Sequence, residues 1–317
     1  MLILGKKIYW QLPRNKLGLG KSVKVSTQPF CSGSSNGSSL QLGNRRKAEN
    51  LMTVSCLVLD YDGTISPLNV SRNESRVPVE TRAVLRRIGR LIPVVIVTTK
   101  DLSFVEARTP FASAWSAVNG LERKIGDVIQ KKHGYEHKLR NVSIAIEYAK
   151  SHTTLNGVEI EEKRDMSQRP IAFCLDWRRA EDSLTAMKEA DAVADYCKSL
   201  GLKLVRHERQ PFLDVYPMSI DKGVALKEML KELKQKKGVL YVGDSEADNP
   251  AFETSDVGVG VIHRETCWRR LVCDYFVRFE DVLSFLSRLL ANHLLFDSGF
   301  PMIWMNSKGT RQGCIKE

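Results

Sequence analysis

No apolar run in this sequence approaches the roughly 18 residues a membrane span needs, and Leu91–Val97 falls far short. Seven cysteines lie scattered along 317 residues, an odd number, and none forms a C-x-x-C pair. That pattern argues against a disulfide framework or a zinc site. Cys56 and Cys174 fall inside apolar runs, where reduced thiols are common, so a reducing, cytoplasmic compartment is expected. Acids are scarce at the N-terminus: residues 1–51 hold nine Lys or Arg against the single Glu49. Of the formal net charge of +11, +8 belongs to this leader and +3 to the other 266 residues. So balanced a body offers little to a nucleic acid. The leader has little to bury, being almost all Ser and Gly from Cys31 to Leu40, and is expected to be disordered. Gly20-Lys21-Ser22 resembles the tail of a phosphate-binding loop, but the glycine required five residues earlier is Asn15. The composition also allows an organellar transit peptide; Met52, directly before the first strand, is the favoured start.

What is present is an alternation of short apolar runs and amphipathic segments. Cys56–Leu59 reads as a buried strand, 66–78 as a loop, Val79–Arg90 as an amphipathic helix and Pro93–Val97 as a second buried strand. This βαβ unit makes the two strands parallel neighbours. A further strand, Trp115–Val118, stops at Asn119-Gly120. The alternation then changes. Helices at Lys138–Ser151 and Ala180–Leu200, with strands at Ile171–Trp177 and Lys203–Arg206, suit an inserted α+β module. The core pattern resumes with strands at Phe212–Tyr216, Gly238–Val242, Val257–Ile262 and Tyr275–Val277, and helices at Val224–Lys234 and Glu280–Leu290. The expected layout is therefore a leader (1–51), a core in two parts (52–121 and 213–290), an inserted cap (122–212) and a tail (291–317). The fold class is α/β: a doubly wound, mostly parallel, Rossmann-like sheet with an α+β cap.

The chemistry starts at Asp60-Tyr61-Asp62-Gly63-Thr64, which the first buried strand delivers at its carboxyl end. Ligands of open α/β sheets bind at that edge, and two carboxylates there suit Mg²⁺ and phosphate. An Asp-Gly turn between strands is the plainer reading. Thr98 ends the second strand beside Asp60, Lys222 opens a helix, and Asp244 and Asp248 follow a later strand. Each has a bland alternative as well: a strand-end hydroxyl, a surface charge, a loop acid, a helix-start acid favoured by the dipole.

These four pieces, in this order, resemble the motifs of the haloacid dehalogenase superfamily of phosphohydrolases. About 120 residues separate Thr98 from Lys222, room for a cap. That spacing, with Asn119-Gly120, Asp221-Lys222-Gly223 and Gly243-Asp244-Ser245, resembles the subgroup of trehalose-phosphate, sucrose-phosphate and mannosyl-phosphoglycerate phosphatases and phosphomannomutases. The resemblance covers about residues 54–290. It implies Asp60 as nucleophile, Asp62 as acid and base, and Thr98 and Lys222 on the phosphate. Mg²⁺ would be held by Asp60, Asp244 and the Asp62 backbone carbonyl, with Asp248 supporting. The partner implied is a phosphorylated small molecule, a sugar phosphate, with neither nucleic acid nor membrane. A phosphomutase or a non-catalytic phosphate-binding protein on the same fold stay open. Three departures stand out: Thr99-Lys100 replaces a small residue and Arg, Ala247 replaces a polar residue, and Ser245 replaces a second adjacent acid. The basic residues Arg206, His207 and Arg209 read equally well as a substrate grip or a solvated cap face.

Overall fold

The computed structural model describes residues 51–206, 211–263 and 270–305. The leader lies outside them apart from Leu51, as do His207, Arg209 and residues 306–317. The chain runs β1 (Leu51–Thr53), β2 (Cys56–Leu59), α1 (Val79–Ile88), β3 (Val94–Val97), α2 (Leu102–Arg108), β4 (Ala114–Ala117), β5 (Glu122–Ile125) and β6 (Val128–Lys131). Next come α3 (Leu139–His152), β7 (Glu159–Arg164), β8 (Pro170–Asp176), α4 (Ser183–Ser199), β9 (Lys203–Val205) and β10 (Phe212–Tyr216). Then follow α5 (Lys222–Glu232), β11 (Val239–Gly243), α6 (Asn249–Phe252), β12 (Val257–Ile262), β13 (Tyr275–Arg278), α7 (Val282–Ala291), β14 (Leu295–Asp297) and β15 (Ile303–Met305).

Among the described residues a nine-stranded sheet has the order β15-β13-β12-β11-β2-β3-β4-β5-β6. Its pairs are parallel from β13 to β4 and antiparallel at both edges. Side chains alternate across a strand, so the all-apolar β2 serves two cores at once. Leu57 and Leu59 join a cluster with Leu85 and Ile88 of α1 and Phe285 and Leu289 of α7. Cys56 and Val58 join another, with Leu226 and Met229 of α5 and Phe252 of α6. β3 and β11 divide in the same way, which is why these runs are apolar throughout. The doubly wound, mostly parallel core is the one expected from the sequence.

A second sheet, β7-β8-β10-β9, is antiparallel throughout. One face, with Phe173, Leu175, Leu213 and Val215, packs on α3 and α4 through Val142, Ile146 and Val193. The other face meets the core, where Glu161 of β7 pairs with Lys100 and the Tyr216 hydroxyl accepts from Asn119 Nδ2 at 3.0 Å. The β7–β8 turn is tied down as well, by Lys131–Asp165 at 2.8 Å and by the Met166 N–H donating to Glu122.

Sheet membership differs from the expected boundaries at three places. Phe212–Tyr216, expected to resume the core, pairs with β8 and β9 in the cap sheet, because Leu213 and Val215 belong to the cap's own hydrophobic cluster. Residues 122–131, expected in the cap, form the β5–β6 hairpin on the edge of the core sheet. Residues 292–305 of the expected tail are structural. β14 pairs with β1 and β15 adds an antiparallel strand beside β13, while Phe296 and Phe300 are buried in the core. Alternation identifies a strand but does not say which sheet receives it.

Candidate active site

β2, β3 and β11 are adjacent and parallel, so their carboxyl ends bring Asp60, Thr98 and Asp244 to one edge. Asp60 is anchored there by its N–H, which donates to the Val242 carbonyl at 2.9 Å. Lys222 is the first residue of α5, whose start is capped by Asp221 accepting from the Val224 N–H at 2.8 Å. The Lys222 ammonium lies 2.8 Å from Asp60 Oδ1 and 2.6 Å from Asp248 Oδ1, all three side chains being buried. Carboxylate oxygens of Asp60, Asp244 and Asp248 fall within 4.8 Å of one another. Gly63 makes room for this cluster. Its φ is +71°, and a Cβ there would stand 2.1 Å from Asp244 Oδ2.

Asp248 settles between its two sequence readings as a brace. Oδ1 accepts from Lys222 and from the Tyr241 hydroxyl, each at 2.6 Å. Oδ2 accepts from the Asp244 N–H, the Ser245 N–H and the Ser245 hydroxyl. With its oxygens so occupied, Asp60 and Asp244 are the cluster carboxylates free to hold a cation. Thr98 is buried and its hydroxyl accepts from the Lys100 N–H at 3.2 Å, which leaves its own O–H to donate. Asp62 stands outside the cluster. Its carboxylate is about a third exposed, 3.3 Å from Ser75 Oγ and 3.5 Å from Lys100 Nζ.

The electrostatics follow from burying three acids beside one base. Burial pushes the Asp60 carboxyl up to about 7, Lys222 opposing and Asp248 adding to the rise. Asp244 is driven well above its ordinary range by burial and then by Asp60 and Asp248. Burial alone would depress Lys222, but Asp248 and Asp60 outweigh it and raise the ammonium's pKa, keeping it charged. Burial and mutual repulsion thus disfavour the ionised forms of Asp60 and Asp244, a cost that a divalent cation would offset. A small set of carboxylate oxygens with Gly63 packed beside it fits a hard divalent ion.

Sequence reasoning missed several neighbours. Tyr241 was one apolar residue among many in β11. His263 follows β12, donates from Nε2 to the Gly63 carbonyl at 2.7 Å and lies 3.9 Å from Asp244 Oδ2. Lys100 had been noted only as a departure, and nothing in the spacing linked it to Glu161. Arg206, of the noted basic cluster, pairs with Asp191 and lies over the Trp177 ring, away from these carboxylates.

A parallel α/β core with an inserted cap and this ordered set of Asp, Thr, Lys and Asp is the arrangement of the haloacid dehalogenase superfamily. A family model described as trehalose-phosphatase matches residues 58–266, and the chain belongs to that family. Trehalose-phosphate phosphatase B of Arabidopsis thaliana is 25% identical over 215 residues, which is 62% of this chain and 55% of that protein. A probable trehalose-phosphate phosphatase D from the same plant is 25% identical over 216 residues, 62% and 56% of the two chains. The chain thus spans about half the length of the curated relatives it matches. Among solved structures, a trehalose-6-phosphate phosphatase related protein superposes with a TM-score of 0.62 at 17% identity, over 75% of this chain and 98% of that one. The C-terminal domain of a C. albicans trehalose-6-phosphate phosphatase gives 0.59 at 16% identity, over 76% and 94%. These structural likenesses speak for the fold. No helix among the described residues is long and apolar enough to cross a membrane.

Proposed function

We propose that the chain is a Mg²⁺-dependent phosphomonoester hydrolase that acts on a sugar phosphate or phosphorylated glycoside, of the trehalose-6-phosphate kind, through an aspartyl-phosphate. The observation that carries this reading is the buried Asp60–Lys222–Asp248 chain at the ends of parallel strands, with Asp244 beside it. Family membership supports the substrate class.

Phosphate monoesters hydrolyse so slowly in water that the protein must supply on the order of 20 kcal/mol or more. Splitting the reaction into two displacements needs a carboxylate nucleophile, and Asp60, at the end of β2 and held by Lys222, is the one placed for it. A carboxylate oxygen of Asp60 bonds to phosphorus as the bond to the sugar oxygen breaks, and that oxygen keeps the bonding pair. Asp62, more exposed and outside the cluster, gives the departing oxygen its proton. In the second step Asp62 takes a proton from water, the water oxygen bonds to phosphorus, and Asp60 is released with inorganic phosphate. Lys222 presents a fixed positive charge to the phosphoryl oxygens and Thr98 a hydroxyl donor. When bound by Asp60, Asp244 and the Asp62 backbone carbonyl, Mg²⁺ supplies the charge neutralisation that lets an anionic ester approach a carboxylate.

The test is phosphate release by the full chain from a panel of sugar phosphates, with and without Mg²⁺, beside Asp60→Asn. Mg²⁺-dependent release that disappears in the variant supports the reading. Isomerised sugar phosphate with no free phosphate would make it a mutase, and no turnover by folded protein would leave a binding protein.

A further inference from the structure

Asp62 is the most loosely held of the proposed reacting groups. Its partners are a 3.3 Å hydrogen bond from Ser75 and the ammonium of Lys100 at 3.5 Å. Lys100 is itself committed elsewhere: Nζ stands 3.1 Å from both carboxylate oxygens of Glu161, across the boundary on β7 of the cap. Glu161 is paired with a second core cation, Arg72, which also binds Asp101 at the start of α2 and lies 4.2 Å over the Phe104 ring. One cap carboxylate is therefore gripped by two cations of the core, and one of those cations reaches Asp62. The Glu161 carboxyl is pulled down to about 2: burial alone would raise it, but Lys100, Lys163 and Arg72 outweigh burial.

We propose that Lys100 is a positioning residue that aims Asp62 at the departing oxygen, and that Glu161 holds it in place only while the cap is closed. This rests on the reading of Asp62 as acid and base. A free lysine side chain samples many rotamers, so an unassisted Lys100 would hold Asp62 poorly. The two-oxygen grip of Glu161 fixes the ammonium beforehand. At 3.5 Å the contact orients Asp62 by charge without the close hydrogen bond that would occupy its proton site. If the cap lifts, Glu161 leaves with β7, and Lys100 and Asp62 lose their alignment together. Proton transfer is thereby tied to closure, at the position where the sequence departs from the resembled pattern.

The test uses the full chain with Mg²⁺ and the sugar phosphate it hydrolyses best. Lys100→Met is expected to lower kcat about tenfold to a hundredfold, part of what acid–base catalysis contributes, with KM changed by less than about threefold. Lys100→Arg is expected to regain most of the loss. Glu161→Gln should lower kcat in the same direction, and the double variant should lose little more kcat than Lys100→Met alone, since Glu161 acts through Lys100. A rise in KM with kcat intact would make Lys100 a sugar contact or a mere cap clamp and overturn the proposal, as would kcat losses that multiply in the double variant. Wild-type chain releasing no phosphate would instead overturn the parent reading.

Discussion

Asp248→Asn separates a brace from a metal ligand by its effect on stability. The wild-type carboxylate is fully buried and receives five donors, two on Oδ1 and three on Oδ2. Asn keeps the shape but offers one accepting oxygen. If that oxygen faces Lys222 and Tyr241, the amide NH₂ meets the N–H groups of Asp244 and Ser245; reversed, it meets an ammonium and a hydroxyl. Either orientation sets buried donor against donor, and Lys222 keeps only Asp60 as a charged partner. Breaking a buried charged pair typically costs about 3–5 kcal/mol. At about 2–4 °C per kcal/mol for a chain of this size, the metal-free protein is expected to melt on the order of 10 °C lower. Circular dichroism melts in EDTA measure this. A variant melting within about 2 °C of wild type would refute the bracing argument.

Asp244→Asn should behave oppositely, because it removes a buried acid whose ionisation is disfavoured by burial, Asp60 and Asp248. In EDTA at pH 8 its Tm is expected to equal or exceed wild type, while the Mg²⁺-induced rise, about 2.7 kcal/mol at a hundredfold excess over Kd, should vanish in calorimetry. Glu161 sits below its ordinary range, so its stabilisation is complete above about pH 4.5 and is lost as pH falls toward 2. Glu161→Gln should flatten that limb of a pH–stability curve, and an unchanged limb would count against the cap contact. Gly63→Ala forces a Cβ to 2.1 Å from Asp244 Oδ2 at positive φ, and should abolish turnover; retained activity would contradict this close approach. Phe296→Ala, in the supposed tail, is expected to cost about 3–5 kcal/mol in urea denaturation, and a loss below about 1 kcal/mol would deny the tail its place in the core.

Much of this site was legible in the residues because it is built from strand ends. An apolar run that stops at Asp60 or Thr98 states both the burial of the strand and the edge where the side chain emerges. Lys222 was legible through Asp221, a capping acid that marks the helix start and so positions the next residue. Asp248 was undecided, because an acid at a helix start looks the same whether it faces solvent or braces a lysine 26 residues earlier in the chain. Lys100, Glu161 and His263 were illegible as site neighbours for a related reason: their contacts cross from core to cap, or join strands about 200 residues apart.

By itself the sequence determined the alternation of buried strands and amphipathic helices, the order of the acidic and basic motifs, and the existence of an inserted module. All of these depend on local periodicity and on what a strand end exposes. Only the tertiary structure decided which sheet received Phe212–Tyr216, that 122–131 and 292–305 complete the core, and that Glu161 pairs with the Lys100 that reaches Asp62. Pairing between distant strands and ion pairs between two lobes are settled by which surfaces can be buried together, and no spacing along the chain records that.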